Sequence, residues 1–306
     1  MKGNVVLFTS NKSFERAENL RAVYDAYDGE KEFFRTDPWG AQPDYSTGKY
    51  ALLVADEFPL GTPGKCIFIG HGIGAGKTGG LDQPYPYYRN NGYLTYCLAS
   101  SRHQIPIIAR SCGVPESSVM PTGMPRTDWY FGDRPARSDK RTYLYLPTYR
   151  TKEEYVSTTI DWDYLDGQLK DHEQLIVKPH MMTKHILDGT YKHIAEADWE
   201  EPTTPYLLSA DVVITDYSSI MFDAYICRIP VVLFEKDHEQ YLRERGMYYQ
   251  YPAEYSELHC RNESQLIMLL RSAEWNSYFE DRREFYTEYC DGQSARRVCD
   301  LIRSLL

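Results

Sequence analysis

Short apolar runs, each closed by a polar or glycine-containing turn, recur along the first third of the chain and again after residue 141. Residues 5–9, 31–35, 51–55, 66–69 and 94–100 have the length and the β-branched or aromatic content of strands. Between them, 14–27 reads as a helix. A second helix is expected at 104–111, with Pro106 in its first turn, where a missing N–H is tolerated, and Cys112-Gly113 ending it. Strands alternating with helical segments predict a parallel sheet covered by helices, so the first half is Rossmann-like. Polar residues 133–141 interrupt the pattern. It then restarts with strands at 142–146, 175–177, 212–214 and 231–234, a helix at 220–227, and helical sequence at 263–273, 274–289 and 294–306. A chain of 306 residues exceeds the usual single-domain size. The expectation is an α/β protein of two domains, 1–138 and 139–306, with a cleft between the carboxyl ends of their strands.

Charge narrows the partners. The chain carries 44 acidic against 34 basic residues, a formal net charge of −10, whereas a protein that tracks nucleic-acid phosphates needs a basic face. Nucleic acid is therefore not an expected partner, and any anionic substrate must be met by a local reversal of sign. Met1-Lys2-Gly3-Asn4 leads straight into the first strand, and no apolar run approaches the roughly 18 residues of a membrane span, so the expected location is the cytosol. Seven cysteines at 66, 97, 112, 227, 260, 290 and 299 form no Cys-x-x-Cys pair and are expected as reduced thiols. The 27 tyrosines, many at predicted element ends, are compatible with a sugar or alditol cleft.

The most informative stretch is Ser-Ala-Asp-Val-Val-Ile-Thr-Asp-Tyr-Ser-Ser-Ile-Met-Phe-Asp at 209–223. It puts Asp216, Ser218 and Ser219 between a strand and a helix N-terminus, where free N–H groups and the helix dipole favour phosphate. The same residues are also ordinary helix caps. Gly70-His71-Gly72-Ile73-Gly74-Ala75-Gly76-Lys77-Thr78 follows the fourth strand but is not a phosphate-binding P-loop, because His71 stands where that pattern needs glycine. Nor is it Gly-x-Gly-x-x-Gly, since Lys77 takes the third glycine's position. Its glycines instead turn the backbone sharply and bring no side chains to bury His71. Pro121-Thr122-Gly123-Met124-Pro125-Arg126-Thr127-Asp128 reads as a rigid turn aiming Arg126 or Asp128 into the interdomain space. Thr148 and Arg150 follow the first strand of the second domain, and Lys178 and His180 follow the next. Cations and hydroxyls converging at these strand ends suit a diphosphate. Ser294 reads as the cap of the terminal helix.

Gly-His-Gly, Gly-x-Pro-Arg-x-Asp, Pro-Thr-x-Arg, Lys-x-His, the Thr-Asp-Tyr-Ser-Ser block, Pro-Val-Val-Leu-Phe with Asp237 and Tyr241, Arg245-Gly246-Met247-Tyr248 and Asp-Gly-x-Ser occur in that order. This series, over about residues 66–300, resembles the CDP-glycerol glycerophosphotransferase family, the wall teichoic acid primases and polymerases. The resemblance implies a GT-B-like architecture, two Rossmann-like parallel-sheet domains facing a central cleft, with the C-terminal helix, about 294–306, crossing back to the first. It implies transfer of an alditol phosphate, glycerol phosphate first, from a CDP-alditol such as CDP-glycerol to an acceptor hydroxyl with release of CMP, in teichoic-acid-like or capsular polymer synthesis. His71 is then the general base and His180 the contact to the donor phosphates. Ser218 and Ser219 hold the same diphosphate, with Arg126, Thr148, Arg150 and Lys178 as helpers, and Asp216 orients the loop or a neighbouring donor. No metal or other cofactor is implied. The acceptor is a glycan or a lipid-linked polymer, and the latter brings peripheral association at the inner face of the cell membrane. Ile73-Gly74-Ala75-Gly76-Lys77 departs from the Thr-Pro and lysine that many family members carry there, which points to a different acceptor side. A GT-B glycosyltransferase using a nucleotide sugar, and a noncatalytic nucleotide-binding protein, stand as the alternatives.

Overall fold

The structure, a computed structural model, describes residues 3–37, 40–70, 92–136, 138–149, 159–180, 183–245, 258–272 and 279–306. Its strands are β1 (Val5–Ser10), β2 (Lys31–Arg35), β3 (Tyr50–Ala55), β4 (Cys66–Phe68), β5 (Tyr96–Ala99), β6 (Val119–Pro121), β7 (Arg141–Leu146), β8 (Glu173–Val177), β9 (Ile194–Glu196), β10 (Val212–Thr215), β11 (Val231–Phe234) and β12 (His259–Cys260). Its helices are α1 (Glu18–Ala26), α2 (Ile105–Cys112), α3 (Trp162–Gln168), α4 (Thr203–Ser209), α5 (Ile220–Ile226), α6 (His238–Arg245), α7 (Glu263–Arg271), α8 (Phe279–Thr287) and α9 (Ser294–Leu305). The chain divides into two compact units, Met1–Gly132 with Arg283–Leu306, and Asp133–Arg282.

In the first unit six parallel strands run in the order β2-β1-β3-β4-β5-β6. Val6, Leu7 and Phe8 in β1 and Leu52, Leu53 and Val54 in β3 are all fully buried, so both faces of the sheet are covered, as a parallel sheet requires. Val6, Phe8, Leu52 and Val54 pack with Leu20 and Val23 of α1 and with Val298, Cys299 and Ile302 of α9. The terminal helix thus returns to the first unit, as the GT-B-like reading expects. Each such fully buried aliphatic side chain contributes about 1.5–3 kcal/mol.

Ser294 does not cap α9, contrary to the expectation from sequence. It is the first helical residue, and Asp128, from the Gly-x-Pro-Arg-x-Asp turn, supplies the cap instead. Its two carboxylate oxygens accept the N–H of Ser294 at 2.9 Å and of Ala295 at 2.8 Å. Gly123 in the same turn has φ +80, and a Cβ there would come within 2.2 Å of the Tyr289 carbonyl oxygen. Only glycine permits that approach. Two motifs far apart in sequence are therefore one packed joint.

The second sheet is also parallel, in the order β12-β11-β10-β7-β8-β9. Successive strands add on one side of β7 and then, from β10, on the other, so the order reverses between β7 and β10. In doubly wound sheets a ligand crevice forms outside the carboxyl ends at such a point. Tyr143, Tyr145, Val212, Ile214, Val232 and Phe234 pack under α3 and α7 through Trp162, Leu165, Leu266, Ile267 and Leu270.

Several elements differ from the pattern-based expectation. The helix expected at 14–27 is a 3₁₀ turn, Phe14–Arg16, followed by α1. The break falls at Ala17, buried in the first unit's core with φ −83 and ψ 55, and no glycine or proline marks it. The strand expected at 94–100 is confined to Tyr96–Ala99. β6, β9 and β12 were not anticipated, having only three, three and two residues, too few for a readable apolar run. Helices α3, α4 and α6 were also unforeseen. The seven cysteines are free and buried. Among the described residues no helix is long and apolar enough to cross a membrane.

Replacing Asp128 by Ala should lower stability by about 2 kcal/mol, because two N–H groups at the start of α9 lose their acceptor. Urea denaturation followed by tryptophan fluorescence measures it, with Asp128→Asn expected to retain about half the loss.

Candidate functional site

The carboxyl ends of β10, β7 and β8 lie side by side, in strands spaced about 4.8 Å apart. β10 leads into Asp216-Tyr217-Ser218-Ser219, β7 into Pro147-Thr148, and β8 into Lys178-Pro179-His180. Six of the nine residues singled out from sequence, Thr148, Lys178, His180, Asp216, Ser218 and Ser219, thus share one edge of one sheet. His71 and Arg150 lie outside the described residues. Arg126 belongs to the first unit, where its guanidinium is 3.7 Å from Glu18 and its backbone N–H donates to Asn19 Oδ1 at 3.0 Å.

The crevice between β7 and β10 is held by one carboxylate. Asp216 Oδ1 accepts the Thr148 N–H at 2.8 Å and the Tyr217 N–H at 2.7 Å. Beneath it Thr215 Oγ1 donates to the Leu146 carbonyl at 2.6 Å. The loop after β10 is therefore fixed to the loop after β7 by charge-assisted bonds inside the protein, Asp216 being only 3% exposed. Ser219 occupies the position before α5 but makes no side-chain cap, and the Ile220 N–H reaches Ser218 Oγ at 3.4 Å.

Tyr217 extends this anchorage. Its hydroxyl donates to Asp237 Oδ1 at 2.9 Å and its ring stacks on Tyr241 at 3.7 Å between centroids. Burial, and then the carboxylates of Glu235, Asp237 and Asp216, push the phenol far above its ordinary pKa, so it stays a donor at any physiological pH. On the other side of β7, Lys178 Nζ donates to the Asp198 carbonyl at 2.5 Å and sits over the Tyr206 ring at 5.9 Å. The His180 ring lies 5.8 Å from that of Tyr149.

A cavity of about 210 Å³ opens within the second unit beside Thr148 and Asp216. Tyr145, Ile160, Trp162 and Phe234 give it apolar walls, and Asp188, Lys236 and Asp237 add polar groups. Lys236 is fixed by the Thr159 carbonyl and by Glu263 Oε1, the latter at 2.6 Å. An aromatic wall with a few placed polar groups suits a flat heterocycle, and its position beside the reversal of strand order is where nucleotides bind in this architecture.

In the first unit, Asn19 was missed from sequence. Its amide donates to the Gly70 carbonyl at 3.2 Å while its oxygen accepts from Arg126, so one buried side chain joins the segment that follows β4 to the Gly-x-Pro-Arg-x-Asp turn. An Asn on an amphipathic helix gives no sequence signal of such a link. Also missed were Tyr217, given no role of its own within the Thr-Asp-Tyr-Ser-Ser block, and Trp162, which no motif singled out. Among the described residues one group brings metal-ligating atoms together, Glu235, His238 and His259.

Residues 55–304 match the family described as CDP-Glycerol:Poly(glycerophosphate) glycerophosphotransferase, and the chain belongs to that family. It is 24% identical to the teichoic acid poly(ribitol-phosphate) polymerase of Bacillus spizizenii, over 99% of this chain and 56% of that protein. Over 79% of this chain and 68% of the relative it is 25% identical to the teichoic acid glycerol-phosphate primase of Bacillus subtilis. The chain spans a little over half the length of several such relatives, 53% for the ribitol-phosphate polymerase TarL of Staphylococcus aureus. Among solved structures, the wall teichoic acid polymerase TagF superposes with a TM-score of 0.77 at 20% identity, covering 99% of this chain and 89% of that one. A putative UDP-N-acetylglucosamine 2-epimerase from Listeria monocytogenes shares the fold at a TM-score of 0.63 and 12% identity.

Asp216→Ala should destabilise the second unit by about 2–5 kcal/mol, since two backbone N–H groups lose a charged acceptor. Asp216→Asn keeps an oxygen in place and should recover most of it; denaturant midpoints for the two variants make the comparison.

Proposed function

We propose that this member of the family transfers an alditol phosphate, glycerol phosphate in the first instance, from a CDP-alditol to an acceptor hydroxyl and releases CMP. The observation that carries the reading is the set of adjacent strand ends at the reversal of the second sheet, where Thr148 and Asp216 line an aromatic-walled cavity and Ser218 and Ser219 follow Asp216 on the same loop. The cavity receives the cytosine. The hydroxyls of Ser218 and Ser219 receive the diphosphate, with the His180 imidazole on the same edge. Lys178 and Arg150 lend positive charge, which an anionic donor needs on a chain of net charge −10. Arg126 is a further helper for the donor, as the resemblance implies, and His71 is the base.

In the reaction, the acceptor hydroxyl oxygen attacks the phosphorus that bears the alditol. A new P–O bond forms as the anhydride P–O bond breaks, CMP departs with the bridging oxygen, and the hydroxyl proton passes to the neutral His71 imidazole. Transfer of this kind depends on positioning and on stabilising charge at the phosphoryl oxygens, which hydroxyl and imidazole donors supply. A neutral histidine near pH 7 is matched to removing that proton. The acceptor is a glycan or a lipid-linked polymer, the latter met at the inner face of the membrane by peripheral association.

Calorimetry with CDP-glycerol, CDP-ribitol and UDP-sugars, coupled to detection of CMP, tests the donor. One CDP-alditol should bind and yield CMP when acceptor is added, and release of a nucleoside diphosphate from a nucleotide sugar would replace this reading with glycosyl transfer. His71→Ala should lower kcat by about 10²–10⁴ while the donor Kd holds. Ser218→Ala should weaken donor binding about tenfold or more through loss of a hydrogen bond to a charged group. Full turnover in His71→Ala removes the base assignment.

A further inference from the structure

At the carboxyl end of β11 the chain passes into Glu235, and α6 opens three residues later on His238. His259 opens β12, which pairs with β11 so that His259 stands opposite Leu233. The side chains of Glu235, His238 and His259 are 0%, 5% and 8% exposed. Their polar atoms meet at one point. Glu235 Oε2 is 2.8 Å from His238 Nδ1 and also contacts His259 Nε2, and one ligand atom from each residue lies within 4.8 Å of the others. The second carboxylate oxygen, Oε1, is buried with no hydrogen-bond partner. Among the described residues the two imidazoles are the only basic groups paired with this carboxylate. A buried polar oxygen left unanswered is costly in an interior. A divalent cation among the three residues would answer it.

We propose that Glu235, His238 and His259 bind one divalent transition-metal ion, of the zinc class, per chain. Two imidazoles and a carboxylate are a donor set that zinc takes at about 2.0–2.2 Å, and the present spacing needs only small side-chain shifts to reach it. With a metal bound, His238 would offer the Nδ1 lone pair and His259 the Nε2 lone pair, each ring carrying its proton on the other nitrogen, and Glu235 would ligate through its carboxylate. The enclosure of the group assigns the ion a structural task. β12 has only two residues at the sheet edge, and a metal bond ties it to the end of β11 and the start of α6. Lys236 and Asp237, between the ligands, line the cavity, so the ion would stiffen one of its walls.

The test uses the 306-residue chain with any affinity tag removed. Metal content is measured as purified, and zinc is then titrated into chelator-treated protein against a chromophoric zinc indicator. The expected result is about one zinc per chain, a rise in Tm on adding zinc, and a Kd weakened about 100-fold or more in Glu235→Gln and in His259→Gln. Should those variants fail to fold, cobalt(II) added to the wild-type chain should give the visible ligand-field absorption of a low-coordinate nitrogen and oxygen site. Absence of bound metal together with no zinc-dependent Tm shift in the wild type overturns the proposal, as does unchanged zinc affinity in folded variants. The three residues are then a hydrogen-bonded His–Glu–His cluster only.

Discussion

Asp216 accepts the backbone N–H of Thr148 across the place where the strand order of the second sheet reverses. Parallel strands that diverge in connectivity leave a crevice there, because the loops after β7 and β10 lead away in different directions. A buried carboxylate bonded to both loops sets its width and holds the two hydroxyl-bearing segments in register. The same loop is anchored outward by the Tyr217 hydroxyl on Asp237, so the wall of the adjoining cavity and the loop after β10 belong to one hydrogen-bonded system. Loss of order at Asp216 would spread to both.

The first unit uses the same device for a different purpose. Asp128 spends both carboxylate oxygens on the start of α9, which brings the last helix onto β1 and β3 through Val298 and Ile302. Asn19 then links the turn that holds Asp128 to the carbonyl before His71. Residues 121–128 thus support both the end of the chain and the end of β4. That is a structural reason for a Gly-x-Pro-Arg-x-Asp run to accompany a late Asp-Gly-x-Ser run in the same polypeptide. Gly123 is fixed by the same contact, since any side chain there would strike Tyr289.

Much of the fold was legible in the sequence where the signal was local. The runs Val-Val-Leu-Phe, Ala-Leu-Leu-Val and Val-Val-Ile-Thr are apolar on both faces, which only a sheet covered twice explains, and they became β1, β3 and β10. At the candidate site, Thr148, Asp216, Ser218, Lys178 and His180 could be singled out because each stands within three residues of the end of a strand that could itself be read. Their number along one edge was an inference from chain order, and the strand pairing made it a fact. Ala17 shows the opposite case: its surroundings are helix-forming, and its burial in the core breaks the helix with no local residue to announce it.

The sequence by itself determined the α/β alternation, the two-sheet class and the residue types at strand ends, since all of these follow from period, run length and turn chemistry within about ten residues. Only the tertiary structure decided the rest. β6, β9 and β12 are strands because a neighbour offers a hydrogen-bonding edge, which two or three residues cannot specify alone. Asp128 rather than Ser294 caps α9 because folding delivers a stronger acceptor from a distant turn. Glu235, His238 and His259 converge because β11 and β12 are neighbours, a relation between residues 24 apart that no local pattern records. Side-chain periodicity reports which face is buried, whereas a pair of residues meets only when the order of strands in the sheet brings them together.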